Sequence, residues 1–154
     1  LAGEGLLCGL YANELLTRTL PVELAAGDVF PYYAALLEAL PRPQARAAAL
    51  RHLEFALLEL LDAAPHYTTI EGNELDPQRE YRFDVASRAF VPAERGIDGR
   101  TLRLLATGDW AQPGLAGPAK ALARAALAPL LGARPLRSRE LMHQLAARRR
   151  SPSH

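Results

Sequence analysis

The sequence predicts a mainly α protein, a helical bundle that carries a small β-hairpin insertion. Apolar residues recur at three- and four-residue steps through residues 44–64, which is the spacing of one helix face. Prolines such as Pro21, Pro43 and Pro65 divide the first half into helix-length segments. Residues 81–85 instead alternate between apolar and charged side chains, as a half-buried strand does. At 154 residues the chain has the size of one domain with a substantial core.

Three helices are expected before Pro65, joined by short loops that contain proline, so they should pack as neighbours. The first covers residues 4–20, with an apolar face of Leu6, Leu7, Leu10, Tyr11, Leu15 and Leu16. Asp28 is the expected N-cap of the second, which runs to Leu40 with Tyr33, Leu36, Leu37 and Leu40 on one face. The third and central helix spans residues 44–64. Arg51 and Glu54 lie three apart on it, so we expect an ion pair at the rim of its buried face.

The insertion covers residues 66–95 and is expected to form a two-stranded ribbon. Tyr81, Phe83 and Val85 alternate along one strand, and Phe90 and Val91 return as its partner. A ribbon of two strands is marginal alone, so it should lean on the helices.

The remainder is predicted to be helical. Asp98 should cap a short helix that runs to Ala106 and stops at Gly108. Pro118 suits the first turn of the next helix, which Pro129 should kink and Gly132 should close. Ser138 should cap a last helix. Residues 1–145 are read as one domain and residues 146–154 as a frayed, disordered basic tail.

Composition excludes several classes of protein. No apolar run approaches the ~18 residues of a membrane span, and a single cysteine, Cys8, excludes an internal disulfide and a multi-cysteine zinc site. We therefore expect a protein of a reducing cytoplasm, with Cys8 as a small buried hydrophobe. Nucleotide-binding glycine loops and nucleophile elbows are missing, and His52 and Glu54 point to different helix faces. His66 with Glu71, Glu74 and Asp76 matches no metal-ligand spacing. Neither an enzyme, a cofactor nor a small-molecule substrate is predicted.

The net charge of +1 hides an uneven distribution. Residues 1–117 carry 10 basic and 16 acidic side chains, whereas residues 118–154 carry 8 basic and 1 acidic. Such asymmetry indicates nucleic-acid or acidic-partner binding, and the alternative is a solubilising surface and tail. The predicted DNA-contacting residues are Lys120, Arg124, Arg134, Arg137, Arg139, Arg148, Arg149 and Arg150. Arg137 and Arg139 flank a helix start, where free backbone N–H groups favour anions.

Four segments in register resemble the helical C-terminal domain of the RecO family of bacterial recombination mediators. They are the run from Cys8 to Leu16 followed by Asp28-Val29-Phe30 and Tyr32, Leu50-Arg51-x-x-Glu54 with Leu57-Leu58, Ile97 to Leu102 with Gly108-Asp109, and Gly132 to Leu141. Family members begin with an OB-fold domain, and the resemblance implies that this chain corresponds only to the helical part that follows it. Some relatives hold a four-cysteine zinc site after the central helix. Here that region has no cysteine, so we expect no zinc and a hairpin packed by Tyr81 and Phe83.

The resemblance implies a DNA-repair mediator that anneals single strands and, with RecR, helps load RecA. It also implies binding to the acidic, phenylalanine-ended tail of single-stranded DNA-binding protein, which needs an apolar pocket and cations. Tyr11, Leu15, Arg18 and Arg51 are the predicted pocket, and a structural role for Arg51 with Glu54 is the other reading. DNA, this tail and RecR are therefore the expected partners, in a bacterial cytoplasm near the nucleoid. The alternative function is a helical scaffold that binds proteins and does not touch DNA.

Overall fold

A computed structural model describes residues 3–20, 29–110, 112–132 and 136–150. Within them lie six α-helices and a small three-stranded antiparallel sheet, which confirms the mainly α class with a small β insertion. The elements are α1 (Glu4–Thr19), α2 (Phe30–Ala39), α3 (Pro43–Leu60), β1 (Glu80–Asp84), β2 (Ala89–Pro92), β3 (Ile97–Asp98), α4 (Gly99–Ala106), α5 (Ala116–Leu131) and α6 (Arg137–Arg150). The chain divides into two compact units. Residues 1–56 with 130–154 form the terminal unit, and residues 57–129 form the middle unit.

The terminal unit contains α1, α2, most of α3 and α6. Helix α1 packs against both α2 and α6, and its core includes Leu15, Leu36, Leu53 and Leu136, which are almost fully buried. The predicted apolar faces of the first two helices were too wide. Leu6 and Leu10 of α1 and Leu37 of α2 are exposed.

The boundaries of α2 and α3 differ from the sequence prediction. Helix α2 begins at Phe30 without a side-chain cap, and the predicted cap Asp28 lies outside the described residues. Helix α3 ends at Leu60, not at Ala64, because Asp62 takes a left-handed conformation with φ of 54°. The Ala63 N–H then donates to Leu58 O at 2.8 Å, and the Asp62 N–H to Glu59 O at 3.1 Å. This pair of bonds is a Schellman C-cap with aspartate where glycine is usual.

The middle unit is built around the sheet, whose strand order is β2-β1-β3. The predicted hairpin is confirmed, with Phe83 opposite Phe90 in the β1–β2 register. The ribbon has a third strand, since Ile97 of β3 pairs with Tyr81 on the other side of β1. Phe90 is buried, and the rings of Tyr67 and Phe83 pack on it at centroid distances of 6.1 and 5.6 Å. Tyr81 is buried as predicted, and its hydroxyl accepts a hydrogen bond from Asp76 N–H at 2.8 Å.

Helix α4 confirms its predicted start and stop. The Asp98 carboxylate accepts from Thr101 N–H at 2.7 Å, and Gly108 has the positive φ, 80°, of a helix-ending residue. Gly99 cannot carry a side chain, because a Cβ there would lie 2.0 Å from Asp76 O. Helix α5 contains Pro118 near its start, and Pro129 lies inside it. Gly132 follows its end with φ of 68°.

Helix α6 is longer than predicted. It begins at Arg137 and continues to Arg150, so residues 146–150 are helical where a frayed tail was expected. The last four residues lie outside the described part of the chain. Within the described residues, no helix is both long enough and apolar enough to cross a membrane. The same residues contain no group of three or more His, Cys, Asp or Glu side chains placed to hold a metal ion.

Candidate functional site

Two of the predicted pocket residues, Tyr11 and Arg51, contact a buried carboxylate in the terminal unit. Glu54 of α3 is only 1% exposed. Its Oε2 accepts a hydrogen bond from the Tyr11 hydroxyl of α1 at 2.5 Å, and its Oε1 lies 2.7 Å from Arg51 Nε. Burying a carboxylate is unfavourable unless partners replace water, and these two groups do so. The predicted ion pair of Arg51 with Glu54 is confirmed. It lies in a buried cluster and not at the rim of the helix, because Glu54 also accepts a hydrogen bond from Tyr11, 43 residues away.

The electrostatics of this cluster keep the tyrosine neutral. Burial, then the negative charge of Glu54 and the hydrogen bond to it, raises the pKa of Tyr11 far above its ordinary value. The positive charges of Arg51 and Arg139 oppose this rise without reversing it. Tyr11 is therefore a hydrogen-bond donor throughout the physiological pH range, and Arg51 neutralises the carboxylate beside it.

The other two predicted pocket residues lie elsewhere on α1. Leu15 is fully buried in the core, so no partner can touch it in this conformation. Arg18 is half-buried, and its Nη2 donates to Leu131 O at 2.6 Å, a carbonyl at the end of α5. A cation there stabilises the negative end of a helix. The structure thus brings Tyr11 and Arg51 together but places Arg18 about two helical turns away.

A second arginine, Arg46, joins Arg51 at the edge between α1 and α3. Its guanidinium lies 3.6 Å from the carboxylate of the exposed Glu4 and donates to Leu40 O at 2.9 Å. Burial raises the pKa of Cys8, and the charges of Arg46 and Arg51 partly offset this rise, so both cations act on that half-buried thiol. We name Arg46, Arg51 and Cys8 the α1–α3 edge. Arg46 was not among the predicted pocket residues, although its place on the polar side of the central helix was a usable signal.

The opposite side of α1 forms an open groove with α6. It is lined by Leu10, Asn13, Glu14, Thr17, Arg18, Arg137 and Glu140. Leu10 supplies an exposed apolar surface there, at 43% exposure. The groove brings together one arginine predicted for partner binding, Arg18, and one predicted for DNA binding, Arg137.

The start of α6 is occupied by the carboxylate of Glu14. Its Oε2 accepts from Arg137 N–H at 2.8 Å, and its Oε1 accepts from Ser138 N–H at 3.0 Å and from Ser138 Oγ–H at 2.8 Å. Ser138 is buried and is the second residue of α6, so the prediction that it caps its own helix was wrong. Burial raises the pKa of Glu14, but the hydrogen bonds from Ser138 and Arg137 outweigh it, so the pKa lies below its ordinary value. Because these N–H groups are already used, they are not open to an external phosphate in this conformation.

The predicted DNA-contacting residues lie on two helices. Lys120 and Arg124 are exposed and four apart on α5, within the middle unit. Arg137 and Arg148 are exposed on α6, and their spacing of eleven residues, three helical turns, puts them on one face. Arg139 is half-buried on another face. Arg134 lies outside the described residues, and of Arg149 and Arg150 only the helical backbone is described.

Comparison with known proteins gives the family. No protein-family model matches the chain. The chain is 41% identical over 149 residues to a DNA repair protein RecO of Stutzerimonas stutzeri, and this alignment covers 94% of the chain and 63% of that relative. It is 39% identical over 145 residues to the RecO of Pseudomonas aeruginosa, covering 92% and 62%, and 36% identical over 144 residues to that of Pseudoalteromonas translucida, covering 92% and 63%. The chain spans a little under two thirds of the length of the relatives that it matches. The resemblance seen in the sequence is thus confirmed over nearly the whole chain, which belongs to the RecO family.

Proposed function

We propose that this chain is the part of a bacterial DNA-repair mediator that contacts DNA phosphates and the acidic tail of single-stranded DNA-binding protein. In this role it would assist RecA loading together with RecR. The relatives' name, DNA repair protein RecO, supports the repair role. The observation that carries the DNA contact is the pair of exposed arginines, Arg137 and Arg148, on one face of α6.

Phosphate binding follows from where these charges lie. Eleven residues of helix separate the two arginines by about 16 Å, so together they can contact phosphates several nucleotides apart. Lys120 and Arg124 form a second exposed pair on α5. Contacts of this kind are independent of base sequence and weaken as salt rises. Neutralising phosphates on two strands would let the strands approach, which is what annealing requires.

The α1–α3 edge is the better of the two tail-binding candidates. Two guanidiniums, those of Arg46 and Arg51, lie there around the half-buried Cys8, and the two side chains are 14% and 12% exposed. Glu4, the partner of Arg46, is exposed, so a carboxylate of an incoming tail can take its place. The groove beside Arg18 is lined by Glu14 and Glu140, which disfavour an acidic peptide. Tyr11 supports the edge from within by holding Glu54.

The tail proposal is tested by titrating a fluorescent peptide that ends in Asp-Asp-Asp-Ile-Pro-Phe, alongside the same peptide without its phenylalanine. We expect saturable binding that requires the phenylalanine and that weakens about tenfold in Arg46→Gln, since a charge-assisted hydrogen bond is lost. Arg42→Gln, an exposed arginine on the same polypeptide turn, is the matched control. Weakening by Arg18→Gln but not by Arg46→Gln would place the tail in the α1–α6 groove instead.

The DNA proposal is tested by the salt dependence of single-stranded DNA binding. Replacing both Arg137 and Arg148 with glutamine should lower the slope of log K against log salt by about 1.4, which is about 0.7 for each phosphate contact. The double variant of Arg82 and Arg100, exposed arginines of β1 and α4, controls for total charge. A protein that binds the tail peptide but no DNA at low salt would support the alternative, a helical scaffold without DNA contact.

A further inference from the structure

The first turn of α6 is fixed by a residue of another helix. Glu14 of α1 is 124 residues from Ser138 in the sequence, yet it accepts hydrogen bonds from three donors at the start of α6. Leu136, just before the helix, and Ser138 are buried beside it. The other described side chains of α6 are exposed or half-buried. The contacts at the first turn therefore add a specific polar anchor to the packing of α6 on α1.

The hydrogen bonds between Glu14 and the start of α6 fix the orientation of the helix. Two backbone N–H groups and one hydroxyl converge on a single carboxylate, which also lies at the positive end of the helix dipole. Hydrogen bonds to a charged acceptor are roughly twice as strong as neutral ones. Because both oxygens are used, the carboxylate fixes the position of the helix start and also restricts its rotation about its own axis.

Rotation of α6 matters because its exposed arginines share one face. Arg137 belongs to the turn that Glu14 holds, and Arg148 lies three turns further on the same face. We propose that Glu14 is a positioning residue that sets the direction in which Arg137 and Arg148 face DNA. This inference depends on the proposed DNA contact. It assigns a supporting role in that contact to an acidic residue, Glu14.

The positioning role and simple charge repulsion predict opposite changes in DNA affinity when Glu14 is removed. If Glu14 were only an acidic side chain near a phosphate site, its removal would reduce repulsion and strengthen DNA binding. As a positioning residue, its removal weakens binding, since the helix start loses its ligand. Glu140 provides the matched comparison. Glu140 lines the same groove and is exposed. Among the described residues, its carboxylate has no hydrogen-bond donor.

The experiment compares Glu14→Gln with Glu140→Gln, which remove the same charge from the same groove. Two quantities are measured for each variant: hydrogen exchange at the amides of Arg137 and Ser138, and affinity for single-stranded DNA at fixed salt. In Glu14→Gln we expect exchange at both amides to be at least tenfold faster and DNA affinity to fall severalfold. In Glu140→Gln we expect unchanged exchange and an affinity that is equal or higher.

The outcomes separate this inference from the proposed function. Glu14→Gln binding DNA more tightly, as Glu140→Gln should, would overturn the positioning role, whatever the exchange rates. Unchanged exchange in Glu14→Gln would overturn it as well. If the unaltered chain binds no DNA, the proposed function fails, and with it the part of the inference that concerns DNA. Ser138→Ala, which removes only the hydroxyl donor, should give an intermediate exchange effect and guards against misfolding of the glutamine variant.

Discussion

Replacing Tyr11 with phenylalanine tests how much the buried carboxylate depends on one hydroxyl. The ring can stay where it is, and only the O–H that donates to Glu54 Oε2 at 2.5 Å is removed. A hydrogen bond to a charged group contributes about 1.5–3 kcal/mol, and leaving a buried acceptor without its donor costs a similar amount. Because Glu54 is 1% exposed, water cannot readily replace the lost donor. We expect Tyr11→Phe to lower the free energy of unfolding by about 2 kcal/mol.

The matched control is Tyr33→Phe, the same chemical change on a neighbouring helix. The Tyr33 hydroxyl donates to Asn13 Oδ1 at a solvent-exposed position, so water replaces the lost partner. Tyr33→Phe should lower the free energy of unfolding by about 0.5 kcal/mol or less, since an exposed neutral hydrogen bond contributes little net stability. Comparison of the two variants removes effects that are common to losing any tyrosine hydroxyl.

The assay is urea denaturation followed by far-UV circular dichroism, with the denaturation midpoint and the slope m fitted together. A lower midpoint at constant m identifies a change of stability. A double-mutant cycle with Glu54→Gln should show a coupling of at least 1 kcal/mol between the two side chains, the scale seen for groups in one hydrogen-bonded network. If Tyr11→Phe and Tyr33→Phe lowered the free energy of unfolding equally, the reasoning would be refuted, because burial of the acceptor would then have no effect.

Three further predictions follow from backbone geometry and titration. Gly99→Ala should destabilise by more than about 2 kcal/mol, because its Cβ would lie 2.0 Å from Asp76 O, whereas Gly117→Ala meets nothing within 4 Å and should be neutral or stabilising in a urea melt. Asp62→Gly should stabilise by about 0.5–1 kcal/mol, since glycine adopts the φ of 54° without steric cost, and an unchanged or lower thermal midpoint would contradict this. The pKa of Glu14 is lowered in the folded protein, so its contribution is fully present above its unfolded pKa and is lost as pH falls through the folded value. The stability difference between the unaltered chain and Glu14→Gln should accordingly shrink under acid, and a difference that grows on acidification would contradict the assignment.

The sequence predicted the features that local chemistry determines. Alternation around Phe83 identified the hairpin, and an aspartate followed by a helical pattern identified the Asp98 cap. The family resemblance also pointed to the correct relatives. For the hairpin and the cap, the information lies within a few residues, where periodicity and capping rules apply.

Features that depend on distant partners were not predictable in the same way. Glu54 follows the polar pattern of its helix, and its burial depends on the hydroxyl of Tyr11, which lies on another helix, as well as on Arg51. Ser138 has the sequence context of an N-cap, but Glu14 binds its amide and hydroxyl. Strand β3 has two residues, too few for any alternation to be visible. A bundle of helices was expected, but its division into two units depends on contacts that no single segment displays.

The bond between Glu14 and Ser138 also has a consequence for synthesis of the protein on the ribosome. Translation at roughly 5–20 residues per second separates the emergence of these two residues by ~6–25 s. The middle unit is continuous in sequence and emerges entirely within that interval. The side of α1 that α6 covers is therefore open to solvent until α6 leaves the exit tunnel. A slowly translated message would prolong this exposure.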